Sequence, residues 1–163
     1  RNTRDVAEKL KAIAPADSGG QTFEARSADL FTVSGAERLV QDLADSDKRP
    51  FGYVFFTVGC WPDYADPFTS EGVEKMVALD LVARHVVLKS LIKHGLLEPG
   101  ARIMNTLAPT QAFPLQSVGG VKARLEESTQ MVPPGRIPFS LMPVAVAADA
   151  WLRAMSKRHP DHK

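Results

Sequence analysis

The sequence predicts an α/β fold built on a parallel sheet, and three observations carry this. Helix-period and strand-like segments alternate along the chain. The run Tyr53-Val54-Phe55-Phe56-Thr57-Val58 is short, apolar and closed by Gly59, the pattern of a strand buried on both faces of a parallel sheet. No internal repeat or low-complexity tract breaks the alternation.

Taken in order, Thr3 is placed to cap a first helix whose apolar positions Val6, Leu10 and Ile13 share one face, with Asp5 in the first turn where the helix dipole favours a carboxylate. Pro15 and Ser18-Gly19-Gly20 end it. Residues 21–30 alternate well enough to predict a strand with Asp29 and Leu30 at its carboxyl end. A second helix takes its stripe from Val33, Ala36, Leu39, Val40 and Leu43, and the polar stretch Asp45 to Pro50 closes it. After the apolar strand, a loop rich in Pro, Asp and aromatic residues (Trp61 to Phe68) leads to Thr69 or Ser70 as the cap of a long helix running to Lys93 and stopped by Gly95. That helix is apolar nearly all round, so one face is expected to meet more than its own sheet. Ala101 to Leu107 reads as a third strand. Beyond an irregular section from Pro109 to Pro138, Ser140 and Pro143 announce a last helix with Val144, Ala147, Ala148, Trp151 and Met155 on one side.

Bulk properties narrow the partners. A chain of 163 residues, 44% hydrophobic and 24% charged, is expected to form one globular domain over residues 1–163 with a real core. The net charge of +1 comes from 20 basic and 19 acidic side chains spread along the whole length, which argues against nucleic acid and anionic membranes as partners. Cys60 is the only cysteine. It has no thiol partner for a disulfide or a zinc site, which favours a reducing, intracellular and cytoplasmic setting. The longest apolar run, around Val86 to Leu97, is broken by Lys89, Lys93 and His94, and no signal peptide opens the chain, so a soluble protein is expected. His159-Pro160-Asp161-His162 lacks a nearby third ligand and predicts no metal. No spacing rule joins Cys60 to His85 or His94 as a nucleophile pair. Arg84 and His85 read as an interface or helix-capping contact on the long helix.

The segments Arg1-Asn2, Ala28-Asp29-Leu30, Val54-Phe55-Phe56-Thr57-Val58-Gly59, Thr69-Ser70-Glu71-Gly72-Val73-Glu74 and Gly100-Ala101-Arg102-Ile103-Met104-Asn105, taken together in order and spacing, resemble the short-chain dehydrogenase/reductase family over nearly the whole chain. The resemblance implies a Rossmann-like parallel sheet with flanking helices, incomplete here because the first two strands and the last would lie outside the chain. It also implies NADP or NAD as cofactor and a small-molecule substrate. By the resemblance, Arg1 matches an arginine that grips the ribose 2′-phosphate in NADP-preferring members, although a solvated arginine at a helix entry explains it equally. Asp29 and Leu30 match the pair lying beside the adenine, and Asp29 reads as well as a carboxylate capping the helix at 31. Gly59 matches the glycine that ends the family's Asn-Asn-Ala-Gly element, where backbone must come close to the cofactor. Both asparagines are replaced, since the element reads Phe56-Thr57-Val58-Gly59.

The catalytic positions depart further. The family carries a serine after the fifth strand and a Tyr-x-x-x-Lys on the next helix, because hydride transfer leaves an alkoxide that must be protonated as it forms. Here the serine position falls at Ala108 and the tyrosine and lysine positions at Leu141 and Ala145. No Tyr-x-x-x-Lys exists anywhere in the chain; its tyrosines are Tyr53 and Tyr64. The family's helix asparagine is replaced by Leu79 or Asp80. No catalytic residue is therefore assigned. The glycine-rich pyrophosphate turn would lie before Arg1, so dinucleotide binding is expected to be weak or absent in this chain. Three functions stay open: a catalytically impaired oxidoreductase-like protein, a non-enzymatic scaffold keeping the fold, and a reductase using Asp80 or His85 as proton donor. By the resemblance, a homodimer through helices 70–93 and 143–158 is expected.

Overall fold

The computed structural model describes residues 3–13, 23–46, 49–61, 63, 65–107 and 138–161. Its elements are α1 (Thr3–Ile13), α2 (Val33–Ser46), β1 (Phe51–Phe56), α3 (Lys75–Val77), a π-helical segment (Ala78–Ala83), α4 (Arg84–Lys93), β2 (Leu97–Asn105) and α5 (Pro138–Arg158), with the expected alternation of helix and strand from α2 onward. β1 and β2 run parallel, pairing Tyr53 with Arg102, Val54 with Ile103, Phe55 with Met104 and Phe56 with Asn105. The connection between them is the continuous helix α3–π–α4, as a parallel pair requires.

That helix starts later than Thr69 or Ser70. The Thr69 hydroxyl accepts the N–H groups of Glu71 and Val73 in a local turn, and Gly72 turns the chain at φ 73°, a conformation that suits glycine. Glu74 then takes the cap: its backbone is non-helical, and its side chain accepts the Val77 N–H at 2.9 Å.

Alternation places Val54, Phe56, Ala101 and Ile103 on the helix-facing side of the sheet. There they join Val40 of α2, Leu88 and Leu91 of α4, and Trp151 and Met155 of α5 in one core. The expectation that the long helix meets more than its own sheet is met, because α2 and α5 both pack against its π segment. The expectation that β1 is buried on both faces is not. Tyr53 and Phe55 are 63% and 58% exposed and stack on one another, and Met104 lies open beside them. The core-forming contacts of α2, α4 and α5 all lie on the opposite side, so hydrophobic side chains alone could not bury this face.

The strand expected over residues 21–30 is also corrected. Residues 23–29 form no ladder, and 21–22 lie outside the described residues. A strand exists only through a neighbour that satisfies its backbone groups. This segment is tied instead to α2. Arg26 donates to the Asp42 carbonyl, to Ser46 Oγ at 2.7 Å and to Glu24 at 2.8 Å, and the backbone at Asp29 lies directly against Gly35. A Cβ at position 35 would run into the Asp29 carbonyl oxygen and lie 2.8 Å from Thr32 Oγ1. Gly35→Ala is therefore expected to destabilise by about 1–3 kcal/mol, although alanine is favoured over glycine within a helix by about 1 kcal/mol. Equilibrium urea unfolding checks the sign, and a stabilised variant would show that this contact yields freely.

Candidate functional site

In parallel sheets ligands gather at the carboxyl ends of strands. The polar side chains of this fold converge there too. Arg84, the first residue of α4, is only 3% exposed. Its Nη2 donates to the Val58 carbonyl at 2.8 Å and to Asp80 Oδ1 at 2.7 Å, and its Nη1 donates to the Thr106 carbonyl at 3.1 Å. One guanidinium thus joins the segments leaving both strands to the helix that connects them. Thr106 closes the arrangement from the other side, donating its N–H and its hydroxyl to the Phe56 carbonyl.

The spacing of Asp80 and Arg84 is i,i+4, which puts two side chains on one helix face. Asp80 lies inside the π segment, an arrangement that recurs at functional sites. Burial pushes the Asp80 carboxyl above its ordinary range, Arg84 acts against that, and Glu74 adds to it. Burial lowers the Arg84 pKa, with Asp80 opposing. Arg84 Nε and both polar atoms of the Asn105 side chain are buried without a hydrogen-bond partner. Asn105 ends β2, on the same side as Ala101 and Ile103.

The residues singled out from the sequence fall around this centre unevenly. Gly59 lies at it: a Cβ there would come within 3.2 Å of Asp80 Oδ1, so the close approach is made by this carboxylate. Asp29 and Leu30 lie at the start of α2. The Asp29 carboxylate accepts the Phe31 N–H at 3.0 Å in the turn ahead of α2, and the cap of that helix belongs instead to Thr32, whose hydroxyl accepts the Gly35 N–H at 3.1 Å; Asp29 also lines a polar cleft of about 330 Å³ with Ser27, Thr32 and Arg38. Leu30 is half-buried in the turn. Arg1 and Ala108 lie outside the described residues. Leu141 falls in the first turns of α5, and Ala145 is 4% exposed beside Val144 and Ala148.

Of the two proposed proton donors, Asp80 is engaged by Arg84, and His85 Nδ1 accepts the Trp151 Nε1 hydrogen at 3.0 Å. The rings of His85 and Trp151 meet edge to face. The pair therefore ties α4 to α5. Arg84 is the residue whose role the sequence did not show. Its signal was present as a carboxylate four residues upstream on a largely apolar helix, where a charged pair can be buried only together.

Cys60 follows Gly59 and is half-buried. Burial first, then the charges of Glu74 and Asp80, push its thiol up to about 11, which leaves it a poor nucleophile at neutral pH. Among the described residues no group of three or more His, Cys, Asp or Glu is placed to hold a metal ion, and no helix is long and apolar enough to cross a membrane. A groove of about 480 Å³ has an apolar floor of Leu88, Ile92, Ile103 and Met155 and a charged rim including Arg153 and Lys157. It contains none of the residues assigned to the cofactor.

No family model matches the chain, and no curated protein matches it. Solved structures do. The Pseudomonas aeruginosa RhlG/NADP active-site complex is 21% identical with a TM-score of 0.61, covering 98% of this chain and 54% of its own. A short-chain dehydrogenase from Burkholderia cenocepacia in complex with NADP is 13% identical with a TM-score of 0.64, covering 98% and 55%. Salutaridine reductase from Papaver somniferum is 12% identical with a TM-score of 0.64, covering 99% and 71%. This chain spans about half the length of the two bacterial proteins. With its parallel strands, its crossover helix and these neighbours, the chain has the fold of the short-chain dehydrogenases/reductases, in part.

Proposed function

We propose that this chain is part of an oxidoreductase-like protein of the short-chain dehydrogenase/reductase type that keeps the fold and has lost the carbonyl chemistry. The observation that carries this reading is Ala145. By the resemblance it occupies the position of the lysine that holds the ribose and lowers the tyrosine pKa, yet its methyl group is sealed at 4% exposure where α5 packs. Four residues earlier stands Leu141, which has no proton to give. The Asp80–Arg84 pair supports the same reading, since Arg84 takes up the Val58 and Thr106 carbonyls and engages Asp80 at 2.7 Å.

NADP or NAD belongs to this reading as the cofactor of the fold, bound weakly or not at all. The described positions do not fit it well. Asp29 Oδ1 is turned to the Phe31 N–H, and the space beside Gly59 that a cofactor would approach is taken by the Asp80 carboxyl. The reading also includes an intracellular setting, a small-molecule substrate rather than nucleic acid or membrane, and a homodimer through the helix reaching Lys93 and α5, which Trp151 and His85 hold together as one unit.

The test is turnover. The purified chain with NADPH or NADH and simple carbonyl substrates is expected to reduce them at least about two to four orders of magnitude more slowly than an intact reductase, the usual loss with a general acid. Calorimetry is expected to show no micromolar binding of NADP or NAD. Robust reduction would overturn the proposal.

A further inference from the structure

We propose that the His85–Trp151 contact is a proton-operated latch between α4 and α5, closed while the His85 imidazole is neutral and opened when it takes a proton. Geometry dictates which form the contact requires. Trp151 Nε1 carries a hydrogen and can only donate, and it donates to His85 Nδ1 at 3.0 Å. Nδ1 must therefore keep its lone pair, with the ring hydrogen on Nε2. A proton added to this ring goes to Nδ1 and sets one N–H against another. Turning the ring over does not repair the contact, because an imidazolium has no free lone pair at any atom. Nor does the indole compensate the charge. The rings stand 6.1 Å apart at 74°, and the donated hydrogen lies in the indole plane. The imidazole therefore meets the positive edge of Trp151 rather than the face that attracts cations.

The charged groups around His85 do not offset this. Within α4, Arg84 turns its guanidinium to Val58, Thr106 and Asp80, and Lys89, one turn on from His85, is exposed. Both are cations and disfavour another. On α5, Asp149 and Arg153 stand two residues to either side of Trp151, about half a turn round the helix, and pair with each other at 2.8 Å. Asp80 of the π segment is engaged by Arg84. Val40 carries α2 onto α4, and the ionisable residues of α2, Glu37, Arg38, Asp42 and Asp45, are all exposed. Among the described residues no carboxylate pairs with His85, and no other hydrogen bond joins α4 to α5. Trp151 is half-buried against the core that holds Leu88, Leu91 and Met155, where an N–H without a partner is disfavoured. Acidification therefore frees the Trp151 side of α5 from α4 while the apolar contacts persist.

Trp61, 81% exposed, is the other tryptophan and serves as an internal reference in the full chain. Solvent exchange of the two indole N–H hydrogens, followed by NMR, reads the latch as the protection of Trp151 relative to Trp61. At about pH 8, above the range in which histidines usually titrate, Trp151 is expected to be protected about fivefold to tenfold, the worth of one such hydrogen bond. That protection is expected to vanish as pH falls to about 5. His85→Asn keeps an acceptor oxygen near the position of Nδ1 and does not titrate, so its protection should persist across the range. His85→Phe has no acceptor and should show no protection at any pH. Protection that holds down to about pH 5 in the unaltered protein overturns the latch. So does a loss of equal size in His85→Asn, which would assign the change to His94 or His159, or protection that survives in His85→Phe. Should His85→Phe fail to fold, the comparison with His85→Asn decides.

Discussion

Replacing Arg84 with Met is expected to lower stability by about 3–5 kcal/mol at neutral pH, the largest effect of any single exchange at the strand ends. The guanidinium satisfies the Val58 and Thr106 carbonyls and faces a carboxylate only 15% exposed. Methionine fills similar volume and satisfies none of the three. Part of the loss should depend on pH. In the intact protein, burial and Glu74 raise the Asp80 pKa and Arg84 lowers it. Without Arg84 the raising causes stand unopposed, so the folded-state value climbs further above the ordinary 3.8. A carboxyl with a raised folded pKa favours the native state fully below its unfolded value, and that contribution is lost as pH rises through the folded one. The deficit of Arg84→Met should therefore be smallest in acid and grow toward neutrality, while the part due to the orphaned carbonyls stays constant. Urea unfolding across this range measures both. A deficit below about 1 kcal/mol, or one that shrinks as pH rises, would show that the pair does not brace the strand ends.

The second large effect is expected from Ala145→Lys, which restores a family residue in name. Val144, Ala145 and Ala148 are all at most 4% exposed on α5, which packs against α3 and the π segment. An ammonium placed among them loses hydration without gaining a described partner, and overpacks the contact. A destabilisation of about 3 kcal/mol or more is expected near neutral pH. The sign of the pH dependence is the reverse of the first case. Burial would depress the lysine pKa, and a group with a depressed folded pKa regains its stability above the unfolded value, about 10.4. The variant should recover as pH approaches that range. A variant as stable as the parent, with a lysine of ordinary pKa, would mean that position 145 opens toward solvent and that the family's lysine could have been accommodated. That outcome would weaken the proposal of lost chemistry, which rests on this burial.

Much of the architecture is legible in the amino-acid sequence. Alternating helix and strand patterns set the α/β class, because apolar periodicity is a local property of the chain. The run ending at Val58 marked a strand, observed over Phe51–Phe56, and Gly95 marked the end of the long helix, where its φ is 66°. Last-helix apolar positions Val144, Ala148, Trp151 and Met155 all proved to be core or core-lining. The missing Tyr-x-x-x-Lys was equally plain, since a residue's identity needs no fold.

Properties that depend on a distant partner were not legible. Alternation at 21–30 suggested a strand, but a ladder needs a neighbour, and Arg26 and Gly35 bind this stretch to α2 instead. Glu71 looked like part of a helix start, yet its carboxylate caps a helix 38 residues earlier in the chain. Sequence by itself determined which segments could be helical or extended and which chemical groups they carry. Tertiary structure alone decided that Arg84 faces inward, that Gly59 yields its space to Asp80, and that Ala145 is sealed. Each of these is settled by which elements lie alongside one another, and a buried charge holds its place only where a carboxylate and two carbonyls arrive from separate parts of the chain to meet it.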